Sequence, residues 1–336
     1  ADGASNFGKD NKWGYFPSFS AGWRLSEEKF MSSFQSLSDF KIRAGWGKVG
    51  NSGIAAYAAY GTMTPAPYII DGTVQNGKIP ATIDNQDLKW EETSQSNVGI
   101  DLSFFNFRLA FTLDAYYKKT NDLLFDYPLP RSTGYNSSVI NIGSVENKGL
   151  EFSIASKNLV NQFKWNTDFN ISFNKNKVLN LGGKDLLVGY IYTREEVSLI
   201  REGYPLGTFY GYVSQGVNPM NGMISYKGAD ENGDVSDEDK AIIGDANPLF
   251  TAGLNNTFSY KGFDLSILLQ SVYGNDIFNA TRIDIEGMYN FYNQSTRVLK
   301  RWKVPGQKTD IPKAIYGNTA NSLISSRFIE DGSYLR

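Results

Sequence analysis

The sequence predicts an all-β protein, an antiparallel transmembrane β-barrel present in part, with long extracellular loops. Three observations predict it. Apolar and polar residues alternate with period two over long stretches. Several of these stretches reach the roughly 9–11 residues of a tilted membrane-crossing strand. The connectors between them alternate between short and long without exception.

Strands are expected over 13–24, 39–48 and 96–104, then over 107–118. In the fourth, Phe107, Leu109, Phe111, Leu113, Ala115 and Tyr117 share one face, and Arg108, Thr112, Asp114 and Lys118 lie on the other. A fifth strand is expected over 149–157. The sixth, 163–174, has the cleanest pattern: Phe163, Trp165, Phe169, Ile171 and Phe173 alternate with polar residues, and only Thr167 interrupts the apolar row. Strands over 250–260 and 263–273 follow, and a ninth begins at Ser333. The connectors 25–38, 105–106, 158–162 and 261–262 are short, and 49–95, 119–148, 175–249 and 274–333 are long. An outer-membrane barrel gathers short turns at its periplasmic rim and long loops at its outer rim. Lys261-Gly262 and Asn106 suit the tight turns. In such a wall Phe107, Leu109, Phe111, Leu113, Phe163, Trp165, Phe169, Ile171, Phe173, Leu265, Ile267 and Leu269 face lipid. Arg108, Asp114, Asn166, Asp168, Asn170 and Gln270 face the lumen. Alternation alone fits a soluble sheet equally well, with its apolar face turned to a core.

Composition narrows the chemistry. The 336 residues contain 33 basic and 35 acidic side chains but no histidine or cysteine. Ser-His-Asp and Cys-His nucleophiles, disulfides, and zinc sites built on thiolate or imidazole are therefore excluded. The net charge of −2 gives no reason to expect nucleic-acid binding. No apolar run approaches the length of a membrane-spanning helix. Ala1-Asp2-Gly3 does not start like a signal peptide, and Gly332 to Arg336 reads as a turn entering a strand. The chain is thus read as a single domain, 1–336, cut from a longer protein.

Four motifs carry alternative chemistries. Gly45-Trp46-Gly47-Lys48-Val49-Gly50 matches the dinucleotide G-x-G-x-x-G, but no acidic residue stands at the ribose position, so a glycine-rich strand exit is the better account. In the acidic segment 230–239, Asp230, Asn232, Asp234, Asp237 and Asp239 place oxygens at alternate positions, as a structural Ca2+ site requires. Val235 and Ala241 stand where an EF-hand has its glycine and its bidentate glutamate, so a solvated acidic turn is the other reading. Paired carboxylates for glycoside hydrolysis are offered by Glu91-Glu92, Glu195-Glu196 and Asp284/Glu286, none in a distinguishing context. The long connectors hold Tyr57, Tyr60, Tyr68, Tyr190, Tyr192, Tyr289, Phe291 and Tyr292. Such rings can stack on sugars or contact peptide side chains, or pack their own loops.

A series of short motifs resembles the SusC/RagA-type TonB-dependent outer-membrane transporters, in the second half of their barrel. It begins with Trp13-Gly14-Tyr15-Phe16-Pro17-Ser18 and Phe40-Lys41-Ile42-Arg43-Ala44-Gly45-Trp46-Gly47. Leu88-Lys89-Trp90-Glu91, Tyr116-Tyr117-Lys118-Lys119-Thr120 and Asn147-Lys148-Gly149-Leu150-Glu151 continue it. Gly203-Tyr204-Pro205-Leu206-Gly207, Asn247-Pro248, Tyr260-Lys261-Gly262-Phe263 and Asp331-Gly332-Ser333-Tyr334-Leu335-Arg336 complete it. The motifs follow one another over nearly the whole chain. The acidic segment is shorter than the family's Asp/Asn/Gly repeat.

The resemblance implies a transporter rather than an enzyme, set in the outer membrane of a Gram-negative bacterium and importing nutrient oligomers, glycans or peptides. It also implies a SusD-like surface lipoprotein, energy from a TonB complex, contact with outer-membrane lipid, and a plug and final strands lying beyond this chain. The alternative is a secreted β-rich glycan-binding or glycoside-processing module. The two readings separate on one point: a soluble module must bury the apolar face of its sheet.

Overall fold

A computed structural model describes residues 1–336 except 136, 192–194 and 318. Nine strands form one ladder: β1 (Ser18–Arg24), β2 (Leu37–Asn51), β3 (Glu91–Phe104), β4 (Leu109–Asn121), β5 (Ser144–Val160), β6 (Phe163–Asn180), β7 (Phe250–Tyr260), β8 (Phe263–Tyr273) and β9 (Tyr334–Leu335). Successive strands of the ladder are successive in sequence, and the pairings β1–β2, β2–β3, β3–β4, β4–β5, β5–β6 and β8–β9 are antiparallel. All the expected strands are present, and several extend further than their alternation. In β3, Glu91 to Gln95 are polar on both faces, which hides them from the alternation, yet all five pair in register with β2, and Glu92 to Gln95 also with β4.

Two boundaries differ from expectation. Trp13–Gly14 does not belong to β1 but pairs with Asp2–Gly3 in a separate small sheet. Pro17, which has no N–H to donate, separates the two. The second difference lies at the turn into β4. Phe105, Asn106 and Phe107 all have left-handed backbones, with φ of 54°, 53° and 59°. The turn therefore occupies 105–108, and Phe107 and Arg108 leave the positions in the wall that alternation assigned them. Arg108 instead donates to the carbonyls of Lys157 and Asn158 at 2.9–3.2 Å.

Residues directly opposite in an antiparallel ladder project to the same side. Trp23, Ile42, Ile100, Leu113, Phe152 and Ile171 form one continuous row across β1 to β6. The rows on either side, Phe40–Leu102–Phe111–Ile154–Phe169 and Ala44–Val98–Ala115–Leu150–Phe173, are also apolar. The opposite face carries Arg43, Asp101, Thr112, Asp114, Glu151, Asn170 and Ser172. Here Arg43 bridges Asp101 at 2.7 Å and Asp114 at 3.0 Å. Gly99 lies between Arg43 and Asp114 in the row, and any Cβ there would collide with both side chains.

The apolar face is exposed rather than packed: Leu113 is 44% accessible, Val98 52% and Leu265 56%. Thr167, the interruption in the sixth strand, joins a polar knot on this face. Its hydroxyl donates to Asn256 Oδ1 at 2.7 Å and accepts from Asn158 Nδ2 at 2.8 Å, beside a register shift at Lys157/Leu159. Trp165 Nε1 donates to the same Asn256 oxygen at 2.9 Å.

Buried apolar residues lie mostly in the connectors. The described residues group into two compact units, 1–184 with 255–267 and 185–254 with 268–336. In the first, Phe7, Ala59, Leu88 and Trp90 form a core, with the Phe7 and Trp90 rings 5.4 Å apart. In the second, strands Leu186–Tyr190, Glu196–Ile200, Thr208–Tyr212 and Lys240–Asp245 form a sheet. Tyr212, Ile224 and Tyr226 pack as its core. Burial pushes the Tyr226 phenol up to about 12, and its hydroxyl donates to the Ala320 carbonyl at 2.8 Å.

Candidate functional site

The long connectors 52–90 and 122–143 enclose a cleft of about 390 Å³ in the first unit. Asn141 ties its walls together by accepting from Lys89 N and donating to the carbonyls of Lys89 and Asp122, all at 2.8–2.9 Å. Asn85 donates to the Val139 carbonyl at 3.0 Å, and Gln86 to the Ala59 carbonyl at 2.8 Å. Leu124 N donates to Glu91 Oε2 at 3.1 Å, which joins the second wall to β3. These bonds and the Phe7–Trp90 core hold the cleft.

Ala55, Ala56 and Ala58 make the floor low, Ser137, Ser138 and Thr62 supply hydroxyls, and Asp126 supplies a carboxylate. Tyr57 stands at the cleft with 69% of its surface accessible and a left-handed backbone, φ 63°. Bulky residues rarely adopt that conformation. An exposed ring beside hydroxyls and one carboxylate can stack on an apolar or sugar face while orienting polar groups.

The remaining aromatic candidates are dispersed. Tyr60 turns its backbone toward the cleft, its carbonyl accepting from Thr82 Oγ1 at 3.3 Å. Tyr68 lies on the separate hairpin Tyr68–Ile70/Thr73–Gln75. In the second unit Tyr190 ends a strand and is exposed, while Tyr192 falls outside the described residues. Tyr289 gives its hydroxyl to Asp284 and meets Tyr292 edge-on with centroids 6.3 Å apart. Phe291, 87% accessible, lies 4.7 Å from Tyr316. Tyr316 was missed in the sequence because nothing near it marks it out, and so were Asp126, Ser137 and Ser138.

In the acidic segment the side-chain oxygens bond to neighbouring groups. Asp230 Oδ1 accepts from the backbone N–H groups of Asn232 and Asp234, both at 2.9 Å, which holds its carboxyl below the usual range. Asp239 caps Ser236 at 2.8 Å and 3.0 Å. Asp237 pairs with Lys240 at 2.8 Å. Burial disfavours the Lys240 charge, but hydrogen bonds to Asp237 and Glu195 outweigh it and raise the pKa. Val235, at the EF-hand glycine position, packs against the Tyr212–Tyr226 core. Among the described residues no three acidic side chains are grouped to hold a metal ion.

One carboxylate of each candidate pair is held in an ion pair. Glu92 meets Lys48 at 2.9 Å, and Glu195 meets Lys240 at 2.8 Å. Glu286, 1% exposed, is ringed by Arg282, Arg297 and Arg327 at 3.1, 2.9 and 3.5 Å. Desolvation lowers the pKa of the deeply buried Arg327 against the pull of Glu286. The glycine-rich motif lies inside β2, where Gly50 leaves room for the Phe16 ring, and no helix follows it.

Residues 1–306 match the family model described as TonB dependent receptor-like, beta-barrel. TonB-dependent receptor P3 of Formosa agariphila is 36% identical over 355 residues, covering 100% of this chain and 35% of the relative. TonB-dependent receptor SusC of Bacteroides thetaiotaomicron is 31% identical over 360 residues, covering 100% and 34%. The solved RagAB peptide transporter superposes with a TM-score of 0.86 at 26% identity, over 99% of this chain and 37% of that one. The chain thus spans about a third of the length of the curated relatives it matches.

Proposed function

The chain belongs to the TonB-dependent receptor-like β-barrel family, and from that premise we propose that it serves the import of nutrient oligomers, glycans or peptides, across the outer membrane of a Gram-negative bacterium. In this reading β1 to β9 are a segment of barrel wall and the long connectors are outer loops that touch cargo. A plug, a TonB complex and a SusD-like lipoprotein complete the machine. The observation that carries it is the inverted burial: the strands' apolar rows are exposed, while the connectors hold the cores. A soluble glycan-binding or glycoside-processing module would bury those rows.

The cleft between connectors 52–90 and 122–143 is this chain's contribution to cargo contact. An unfavourable tyrosine conformation that persists in an exposed, well-braced loop fits a site positioned for binding. Replacing Tyr57 with Ala in the full-length transporter should lower oligomer uptake about three- to tenfold, the loss of one stacked ring, with barrel assembly unchanged. Wild-type uptake by that variant would remove the cleft from the transport path.

A further inference from the structure

We propose that lysines on the membrane-facing side of the ladder form a docking surface for the phosphate groups of an anionic glycolipid in the outer leaflet. The proposal rests on the outer-membrane reading. The register places Tyr117, Lys148 and Lys175 side by side across β4, β5 and β6. This row lies directly beyond the apolar row Ala115–Leu150–Phe173 and on the same face. One row further out come Lys119, Glu146 and Lys177.

Like charges directly opposite one another destabilise a sheet, and Lys148 and Lys175 are Cα partners. The local carboxylate does not neutralise the patch. Glu146 lies 3.4 Å from Lys148 Nζ and also accepts from the Tyr117 hydroxyl at 3.1 Å. Among the described residues no ion pair engages Lys119, Lys175 or Lys177. Four cations thus face one carboxylate.

Position selects the occupant. The apolar rows end at this level, and the long connectors leave from this rim, which makes it the outer one. The span from Lys148 to Ser156, whose hydroxyl donates to Asn158 of the polar knot at 2.8 Å, is at about 3.3 Å per residue and a tilt of about 40° roughly 20 Å, close to the height of a barrel's apolar band. Acyl chains against the apolar rows put headgroup phosphates at the height of the lysines. Their methylene stems cover the apolar edge while the ammonium groups reach outward.

The test uses the full-length transporter. Phosphorylated lipid A that copurifies with it is counted by mass spectrometry. Rebinding is measured with phosphatidylethanolamine vesicles containing lipid A or its dephosphorylated form. At about 1 kcal/mol per lysine near a charged surface, K175Q should retain about fivefold less lipid, and the quadruple variant K119Q/K148Q/K175Q/K177Q more than about twentyfold less. The matching quadruple arginine variant should retain wild-type amounts, and K118Q, on the opposite face, should change nothing. Heat-modifiable gel migration reports barrel assembly separately, so failure of the barrel reading appears there. If the glutamine quadruple does not assemble, K175Q and the arginine quadruple decide. Assembled glutamine variants that keep wild-type lipid, equal retention of dephosphorylated lipid, or displacement of the lipid by inorganic phosphate would each overturn the proposal.

Discussion

Leu113 and Thr112 are adjacent in β4 but belong to opposite environments, so one substitution made at both positions tests the assignment of faces. Leu113 stands between Ile100 and Phe152, with apolar rows on both sides, and is 44% accessible. An arginine here enters the middle of the apolar band, where the cost is about 2–4 kcal/mol. That range shifts the folding equilibrium roughly 30- to 1,000-fold. Thr112 lies opposite Asp101 and Ser153 and borders the cleft that Asp114 and Glu151 line. Its arginine would meet carboxylates and water and should cost less than about 1 kcal/mol. The assay is denaturant unfolding of the full-length protein in bilayers, followed by tryptophan fluorescence and gel mobility. Equal losses at the two positions would show that the apolar rows do not face lipid.

Glu286→Gln strips the shared charge from Arg282, Arg297 and Arg327, and leaving buried charges unpaired costs about 3 kcal/mol, at the lower end because Arg297 is half-exposed. Limited proteolysis should then cut the 274–333 connector, whereas an intact connector would mean that the knot is dispensable. Asp230→Ala should loosen the 226–240 turn to the same degree with calcium or with chelator, and a calcium-dependent difference in protection would show that the acidic segment binds a cation. Because backbone hydrogen bonds depress the Asp230 pKa below the ordinary 3.8, its contribution to the turn is present above that value. It is lost as pH falls through the depressed pKa, which amide exchange across the turn would follow.

The wall was legible in the sequence because each strand repeats a two-residue pattern, and Phe163 to Phe173 state it almost without interruption. Its ends were less legible. Glu91 to Gln95 continue the ladder with polar residues on both faces, and the three left-handed residues at 105–107 move the turn without changing composition. The connectors were legible as long, aromatic and ordered, because they lack spacer composition, but the cores inside them were not. Glu286 and its arginines are separated by up to 41 positions, and no local pattern reports such a meeting. The cleft depends on alanines and serines from two connectors, residue types that carry no signal until the chain brings them together. Tyr57 was the one candidate visible from both directions.

The Phe7–Trp90 and Tyr212–Tyr226 cores have a consequence for how such a chain can diverge. Each connector segment is stabilised by apolar side chains of its own or of its near neighbours, while the strands are held by their ladder hydrogen bonds. The two layers therefore answer to separate selective pressures. A connector can be lengthened, reshaped or exchanged like a cassette, provided its core travels with it and its ends return to the same strand register. Grafting 52–90 together with 122–143 and the 1–16 segment that supplies Phe7 should carry a recognition surface intact to another wall. Moving either connector alone would split the bonds made by Asn85 and Asn141 and leave the graft half-folded.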